Sequence, residues 1–278
     1  MQHADIYSEL NKRTPKYDKI AQVLKDNQHL FQWEPEERIL DAGCGPGDMT
    51  SCVILPWLPQ DFQLLLGADV SPAVIEHALK HNASEKVKFE VLDIAVDISM
   101  FLQKQESSAG FNKIFSFYVM QWLRDLRKGV ENLYRLLKPG GQMLLLFPAD
   151  RLFQKTFMKV RSKDPWKQYS KDEERKIPPF LISDNQCEEF KRMLQDIGFE
   201  TIKCELKKYS THFDHVEDIK DLAESLDHEI DHVPAELRPE YLQHCYDTLV
   251  DMGAVHPGDS GLELTQSMLL VVARRPSQ

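Results

Sequence analysis

The sequence predicts an α/β protein built on a mostly parallel, doubly wound sheet of seven strands. Short apolar runs alternate with helical patterns over residues 38–149, a glycine-rich turn follows the first run, and the alternation breaks afterwards. Two helical insertions, 150–184 and 211–260, are expected to cap one edge of the sheet. The predicted units are an N-terminal helical lid over the substrate, a ligand-binding core and a capped C-terminal part: 1–34, 35–149 and 150–278.

Each predicted strand is a compact, mainly apolar run, and the first of them ends in glycine. The first five and the last two are Arg38–Gly43, Phe62–Asp69, Val87–Asp93, Lys113–Tyr118, Gln142–Phe147, Phe199–Tyr209 and Leu262–Arg275. Between them, Ser71 followed by Pro72 predicts the start of a helix over 72–81. Apolar residues at three-to-four spacing predict a second helix over 123–137, and a third over 185–197 ends at a glycine.

Composition narrows the function classes. The 278 residues carry a formal net charge of −10, and 42% of them are apolar, enough for a stable core. The acidic balance disfavours a nucleic-acid partner, which selects a basic face. No apolar run is long enough to span a membrane, and the five cysteines form no C-x-x-C pair, as is typical of reduced thiols. We therefore expect a cytoplasmic protein with a small-molecule partner and no metal, and leave a homodimer open.

A glycine-rich turn follows the first predicted strand. The run from Asp41 to Asp48 reads DAGCGPGD, with the spacing G-x-G-x-G, whereas a dinucleotide fingerprint needs G-x-G-x-x-G. Glycines at this place let the backbone approach a ligand closely. The two acids of the run suit a cationic ligand better than a phosphate. The alternative is a tight strand-to-helix turn without a ligand.

Two further acids end predicted strands. Asp69 closes the second strand and Asp93 the third, where side chains of a parallel sheet reach the ligand crevice. Asp69 is placed to bridge two ribose hydroxyls, and Asp93 to accept a hydrogen bond from an adenine amino group. Each acid alone is also typical of a helix cap. Two acids at successive strand ends favour ligand binding.

These features together resemble the S-adenosylmethionine-dependent class I methyltransferases. The motifs that match, in order, are Asp41-x-Gly-x-Gly-x-Gly47, Asp69, Val91-Leu-Asp93, Phe115-Ser-Phe117 and Leu137-Lys-Pro-Gly-Gly141. The resemblance implies the Rossmann-like methyltransferase fold and S-adenosylmethionine as cofactor, with its methionine part on the glycine turn and its sulfonium side near Ser116. The implied cofactor-binding residues are Asp41, Gly43, Cys44, Gly45, Gly47, Asp69, Val70, Asp93, Ile94 and Ser116.

A narrower resemblance, to the arthropod juvenile hormone acid methyltransferases, covers nearly the whole chain. Its motifs are Ala4-Asp-x-Tyr7, Phe115-Ser-Phe-Tyr118, Gln121-Trp122-Leu-Arg124-Asp125 and Leu144-Leu-Leu-Phe147. It implies esterification of the carboxylate of farnesoic acid or juvenile hormone acid, a step of juvenile hormone biosynthesis. That family carries a glutamine facing the substrate carboxylate where this chain has Arg13-Thr14. Arg13 is expected to hold the carboxylate through a bidentate fork.

Three residues are the catalytic candidates: Trp122, Arg13 and Tyr118. Trp122 can donate its indole N–H to a carboxylate while its ring packs against an isoprenoid chain. Tyr118 and Tyr7 are candidate pocket liners, and burial in the core is the alternative for each of these aromatic residues. If the insertion over 150–184 is a lid, four of its aromatic residues are expected to line an apolar pocket: Phe153, Phe157, Trp166 and Phe180. The alternative is that they form a small core under the insertion.

Chemistry favours an acid as the methyl acceptor. A carboxylate is ionised near neutral pH, so methyl transfer from a sulfonium to its oxygen needs no general base. An amine or alcohol would need one, and none is evident over residues 115–125. We therefore expect carboxyl O-methylation of a sesquiterpenoid acid. Two alternatives stay open: a methyltransferase for small polyacids such as trans-aconitate, which needs several cations, and a carrier that binds a lipid acid without turnover.

Two charged patterns have simpler explanations than a site. His228 and His232 share a helical face near His212 and His215, but the surrounding run is acidic and a metal needs a third ligand in place. The basic stretch over 151–176 carries four acids of its own. Both are expected to be solvated surface.

Overall fold

The protein is built around one sheet. The computed structural model describes residues 16–103, 109–170, 185–227 and 229–277. Within them the strands, β1 to β8 in chain order, are Arg38–Ala42, Leu64–Asp69, Val87–Val91, Phe111–Phe117, Leu137–Pro148, Glu200–Phe213, Val255–Pro257 and Leu262–Arg274. Seven lie side by side in the order β3-β2-β1-β4-β5-β8-β6, and the short β7 pairs with β8. The predicted sheet is confirmed, with one three-residue strand added.

The strand order creates a crevice at one edge of the sheet. β1 to β5 are mutually parallel, and β8 runs antiparallel to both β5 and β6. The chain leaves β1 for β2 and β3 on one side, then returns to β4 on the other side of β1. The order therefore reverses between β1 and β4, and open α/β sheets bind ligands beyond the carboxyl ends of strands at such a switch point.

Helices connect the strands. In the described part of the chain the α-helices, α1 to α9, are Lys16–Asn27, Leu55–Trp57, Pro72–His81, Ser99–Leu102, Leu126–Leu136, Leu152–Arg161, Gln186–Ile197, Val216–Leu226 and Arg238–Asp251, and a π-helical turn, Thr50–Ile54, precedes α2. Ser71 caps α3 as predicted, since its Oγ accepts the N–H of Val74 at 3.4 Å. Gly198 ends α7 with φ of 109°. None of these helices is both long and apolar enough to cross a membrane.

Alternate residues of the strands pack two hydrophobic cores, one on each face of the sheet. Leu64 and Leu66 of β2 belong to one core, whereas Leu65 belongs to the other. Ile114 and Phe115 of β4 divide in the same way. Successive side chains of a strand point to opposite faces, so both faces are covered, as a doubly wound sheet requires.

The described segments between β5 and β8, apart from α7 and β6, form a cap with its own hydrophobic core. α6, α8 and α9 pack around Phe153, Phe157 and Trp166, which are all buried. Of the two interpretations of these rings, the structure shows the small core rather than the pocket wall. Mutual packing removes more of their apolar surface from water than lining an open pocket does. Phe180 lies outside the described residues.

Element boundaries differ from the prediction at the crossover between β4 and β5. The helix predicted over 123–137 begins at Leu126, because the Asp125 carboxylate caps it by accepting a backbone N–H at 2.9 Å. β5 begins at Leu137, earlier than predicted, since that residue pairs with Phe111 of β4. β7 was missed because it is too short to carry a pattern of its own and depends on pairing with β8.

Candidate active site

A pocket of about 400 Å³ opens at the carboxyl ends of the parallel strands, a volume typical of a small-molecule site. The carboxyl ends of β1 and β2 and the segments that follow β1, β2 and β3 form what we term the acidic wall, which carries Asp41, Asp48, Asp69 and Asp93. The remaining lining residues form the aromatic wall: Tyr17 of α1, Phe117 at the end of β4, Tyr118, Val119, Trp122, Leu123 and Arg124 after β4, and Ser225 and Leu226 of α8. The switch point therefore lies between two chemically different walls.

The glycine turn brings backbone to the pocket surface. Gly43 has φ of 83° and Gly45 has φ of 56°, both in the left-handed region. The N–H of Gly43 donates to the Ala68 carbonyl at 2.7 Å, and the N–H of Gly45 donates to Oδ2 of Asp69 at 3.1 Å. A Cβ at Gly43 would lie 2.1 Å from a methyl carbon of Val119, so only glycine fits between the turn and the aromatic wall.

The two strand-end acids hold the backbone and line the pocket at the same time. Oδ1 of Asp69 accepts the N–H of Ser71 at 3.0 Å, and Oδ1 of Asp93 accepts the N–H of Ala95 at 2.8 Å. Both residues are part of the acidic wall. The two interpretations of these acids, turn-stabilising and ligand-facing, are therefore compatible, since a carboxylate has about four lone-pair sites.

Asp41 and Asp48 complete the acidic wall. Asp41 is 1% exposed, and its Oδ2 accepts the Thr50 hydroxyl at 2.6 Å. Burial raises the pKa of the Asp41 carboxyl to about 7; the Thr50 hydrogen bond opposes this rise, and the charge of Asp69 adds to it. Oδ2 of Asp48 is buried and has no hydrogen-bond partner among the described residues. Four carboxyl groups around one ligand space, one with an orphaned oxygen, fit a ligand that carries positive charge.

A strained turn after β4 positions the aromatic wall. Tyr118 has φ of 61°, which residues other than glycine rarely adopt. Its N–H donates to the Leu146 carbonyl at 2.8 Å, and its carbonyl accepts Nε2 of Gln121 at 2.8 Å, so the turn is held from both sides. The 3₁₀ turn Met120–Trp122 follows and places Trp122 in the wall. Strain maintained by surrounding contacts is typical of functional sites.

Most of the predicted site residues come together in this pocket. The predicted cofactor-binding residues found in its acidic wall are Asp41, Gly43, Cys44, Gly45, Asp69, Val70, Asp93 and Ile94. Trp122 and Tyr118 lie in the aromatic wall. Arg13 and Tyr7 lie outside the described residues, so their contact with an acceptor stays a prediction.

Two of the predicted cofactor-binding residues, Ser116 and Gly47, do not line the pocket. Ser116 is 1% exposed and does not line the pocket; its hydroxyl donates to the Ala42 carbonyl at 2.7 Å and ties β4 to β1. The next residue, Phe117, reaches the pocket instead. Gly47 is also absent from the lining, and a Cβ there would lie 2.9 Å from the ring of Phe89. Gly47 is therefore required by the packing of the turn on β3.

Among the described residues, neither a histidine nor the Cys44 thiol offers a base or nucleophile to the pocket. No histidine of the described residues lines the pocket. His212 contacts Glu263 at 3.2 Å and Asp214 at 3.3 Å, and His228 lies outside the described residues. The described His, Cys, Asp and Glu side chains form no group of three that could hold a metal. Burial raises the pKa of the Cys44 thiol well above its usual range, so the thiol stays protonated.

Three lining residues lie far along the chain from every predicted site motif of the core: Tyr17, Ser225 and Leu226. Tyr17 lies in α1, within the predicted N-terminal lid. Ser225 and Leu226 end α8, far along the chain from the other lining residues. No local pattern marks them, because the docking of the cap over the sheet edge decides which of its residues face the pocket.

Known proteins share this architecture. Residues 14–203 match the family described as "Methyltransferase domain". The juvenile hormone acid O-methyltransferase of Drosophila melanogaster is 29% identical over 256 residues, which are 91% of this chain and 84% of that protein. The protein of the same name from Bombyx mori is 25% identical over 253 residues, 91% of this chain and 87% of that protein. A solved structure from Bacillus halodurans, assigned as a methyltransferase, has a TM-score of 0.55 at 16% identity and covers 91% of this chain and 98% of that one.

The family match covers more than half of the chain and includes the glycine turn, both strand-end acids and the turn that carries Trp122. The solved structure shares the fold, which confirms the predicted Rossmann-like architecture. The predicted enzyme class and its methyl donor, S-adenosylmethionine, are confirmed as well. The chain therefore belongs to the methyltransferase domain family.

Proposed function

We propose that this enzyme transfers the methyl group of S-adenosylmethionine to the carboxylate of a sesquiterpenoid acid such as farnesoic acid or juvenile hormone acid. The observation that carries the proposal is the composition of the aromatic wall, which holds mainly apolar and aromatic side chains beside Arg124 and Ser225 and, among the described residues, neither histidine nor lysine. Such a wall suits a hydrocarbon chain and offers no histidine or lysine as a general base. Two relatives named juvenile hormone acid O-methyltransferase support this choice of acid.

We assign the donor to the acidic wall. When bound, S-adenosylmethionine supplies a methyl group on a sulfonium, ready for in-line displacement. Asp69 would accept the ribose hydroxyls with the lone pairs that Gly45 and Ser71 leave available. Asp93 would face the adenine, and Asp41 would place negative charge beside the cationic methionine part. The orphaned oxygen of Asp48 would gain a partner in the same way.

An acid acceptor needs positioning rather than proton transfer. Its carboxylate is ionised near neutral pH, so an oxygen lone pair is available for attack on the methyl carbon. The aromatic wall would align the chain and exclude water from the attacking oxygen, and alignment alone can supply up to about 7–11 kcal/mol of the barrier. Trp122 would hold the carboxylate with its indole N–H.

Trp122→Phe tests this role. The change keeps an aromatic ring in the wall and deletes the donor, so we expect kcat/KM for the acid to fall by at least about tenfold, the usual worth of a hydrogen bond to a charged group. Preference among isoprenoid acids of different length should be retained. Trp57→Phe is the control, because Trp57 packs on Phe115 outside the pocket. Full activity in Trp122→Phe would show that another group binds the carboxylate, with Arg13 the first candidate.

Donor affinity is expected to rise about tenfold between pH 6 and pH 8, because a carboxyl with pKa about 7 is mostly neutral at the lower pH and ionised at the higher one. The cations of the donor favour the ionised Asp41, so binding at pH 6 releases a proton. Calorimetry at both pH values in buffers of different ionisation enthalpy measures affinity and proton release. Asp41→Asn keeps an oxygen for the Thr50 hydroxyl and should show neither effect. An equal rise of donor affinity with pH in that variant would contradict the role of Asp41.

The same group gives an independent stability test. The pKa of Asp41 is raised in the fold from 3.8 to about 7, so its contribution to the free energy of unfolding is fully present below 3.8 and is lost as the pH rises through 7. Urea unfolding of the donor-free protein should therefore show Asp41→Asn to be more stable than the unchanged protein at pH 8. If the unchanged protein were instead the more stable one at pH 8, the pKa of Asp41 would not be raised in the fold.

A panel of acids tests the acceptor. We expect farnesoic acid to exceed trans-aconitate by at least about a hundredfold in kcat/KM, because buried hydrocarbon gains about 25 cal/mol per Å² whereas an unpaired buried carboxylate costs several kcal/mol. Labelled-methyl transfer to terpenoid, fatty and polycarboxylic acids measures this ratio. Equal rates would favour the polyacid enzyme, although Arg124 is the one cation that the described walls offer it. Lipid-acid binding without turnover or donor affinity would favour the carrier.

Residues 1–34 are proposed as a substrate lid, on the observation that Tyr17 of α1 is part of the aromatic wall. The division into a donor-binding core over 35–149 and a capped part over 150–278 is a proposal of the same kind. The cytoplasmic location, the lack of a nucleic-acid partner and a homodimer stay predictions.

A further inference from the structure

A buried charge network lies directly behind the cap side of the pocket. Arg161, the last residue of α6, places Nη2 2.5 Å from Oδ2 of Asp227 and Nη1 3.6 Å from Oε2 of Glu229. The hydroxyl of Tyr241, in α9, donates to the same oxygen of Asp227 at 2.8 Å. All four side chains are buried. Three separate segments of the cap therefore meet at one carboxylate.

This carboxylate adjoins the pocket wall. α8 ends at Leu226, which lines the pocket together with Ser225, and Asp227 is the C-cap of the helix. The Asp227 N–H donates to the Glu224 carbonyl at 3.3 Å. Contacts that hold Asp227 in place therefore also hold the end of α8 and the two lining residues before Asp227. Arg161 and Tyr241 themselves do not line the pocket, so they affect a bound molecule only through this segment.

A buried network of this kind adds little net stability. The desolvation of two buried charges offsets most of their attraction, and apolar side chains of similar volume often stabilise a fold as well. Removal of one partner, in contrast, leaves an uncompensated charge and changes the local arrangement. The network is therefore better suited to select one position of α8 than to stabilise the cap.

We propose that Arg161, Asp227 and Tyr241 are positioning residues for the acceptor. They hold Ser225 and Leu226 at the distance from the rest of the aromatic wall that an acceptor's hydrocarbon chain requires, and they thereby set acceptor affinity. This inference rests on the proposed function in taking a lipophilic acid as the acceptor. The acidic wall comes from β1, β2 and β3, and none of its residues belongs to the network. Donor affinity is therefore independent of the network.

Tyr241→Phe is the first test, because it deletes one hydroxyl and keeps a ring 5.3 Å from the Arg161 guanidinium. We expect KM for farnesoic acid to rise at least about fivefold and kcat to change less, since one hydrogen bond to a charged group is lost. Calorimetry should give a donor Kd within about twofold of the unchanged protein, because the acidic wall is untouched. Asp227→Asn should show the same split between the two ligands and a larger rise in KM.

Glu37→Gln is the matched control. Glu37 and Lys113 form a second buried pair, 2.5 Å apart with 3% of each side chain exposed, and neither residue lines the pocket. Urea unfolding measures the stability lost by each variant. If the network is only structural, Tyr241→Phe and Glu37→Gln change acceptor KM alike at comparable loss of stability. That result would overturn the proposal.

Amide hydrogen exchange reports on the wall without turnover. In Tyr241→Phe we expect faster exchange over residues 222–227 and unchanged exchange in α3, which lies on the core. If the unchanged protein methylates no acid, the proposed function fails while exchange still tests the positioning role. Unchanged exchange over 222–227 would overturn the positioning role, whatever the outcome for the acids.

Discussion

The Gly43→Ala variant is expected to lose about 2–5 kcal/mol of unfolding free energy and most of its donor affinity, through backbone strain and overpacking together. A left-handed φ of 83° is unfavourable for alanine, and the added Cβ would lie 2.1 Å from a methyl carbon of Val119. Val119 adjoins the strained turn at Tyr118, so movement to relieve the contact disturbs the aromatic wall as well. Urea unfolding and calorimetry with S-adenosylmethionine measure the two losses.

Gly45→Ala is the control for this prediction. Gly45 has φ of 56°, but no atom lies within 4 Å of a Cβ built there, so only the backbone strain of about 1–2 kcal/mol is expected. Adding Val119→Ala to Gly43→Ala removes the contacting methyl groups and should restore part of the lost stability. If Gly43→Ala and Gly45→Ala lost the same unfolding free energy, the turn and the aromatic wall would not be tightly packed.

The Asp69→Ala variant is expected to bind S-adenosylmethionine about 1.5–3 kcal/mol more weakly, equivalent to about 10–150-fold in Kd. In the proposed role, the loss comes from the hydrogen bonds to the ribose hydroxyls. The structure adds a second cause, because the Asp69 carboxylate also accepts the N–H groups of Gly45 and Ser71. The glycine turn therefore loses a contact that orients it toward the donor. Calorimetry with the donor and with S-adenosylhomocysteine measures the change, and both ligands should be affected because they share the ribose.

Asp97→Ala is the matched control for Asp69. Asp97 accepts the N–H of Ser99 at 3.3 Å, the same two-residue turn that Asp69 makes with Ser71, but it lies on the surface outside the pocket. Its loss should leave donor affinity unchanged. A folded Asp69→Ala protein with the donor affinity of Asp97→Ala would remove Asp69 from the ribose role.

Local sequence patterns predicted the sheet and most of the acidic wall. A buried strand is a continuous apolar run, and the acid at its end needs no distant partner to reach the sheet edge, so Asp69 and Asp93 were found from position alone. Gly43 and Gly45 were found in the same way, because a close backbone approach beyond a strand leaves glycine in the sequence. These features depend on contacts within a few residues and on the parallel order of neighbouring strands.

Other positions depend on contacts that local patterns do not specify. Ser116 lies in a matching motif, yet its hydroxyl donates to the Ala42 carbonyl between β4 and β1, and Phe117 lines the pocket. Phe153 and Phe157 are apolar at helical spacing, which fits a cap core and a pocket wall equally well. A local sequence pattern indicates that a residue is apolar or buried, but it does not indicate which other residues pack against it.

The sequence by itself determined the fold class, the family and most residues of the acidic wall, because each is encoded in strand periodicity and in motifs of adjacent residues. Only the tertiary structure decided which parts of the cap line the pocket. Leu226 becomes a pocket wall because Asp227 is held by Arg161 and Tyr241, which come from two other helices of the cap. The burial of this network depends on the packing of α6, α8 and α9 together, and such long-range packing leaves no local signal in the chain.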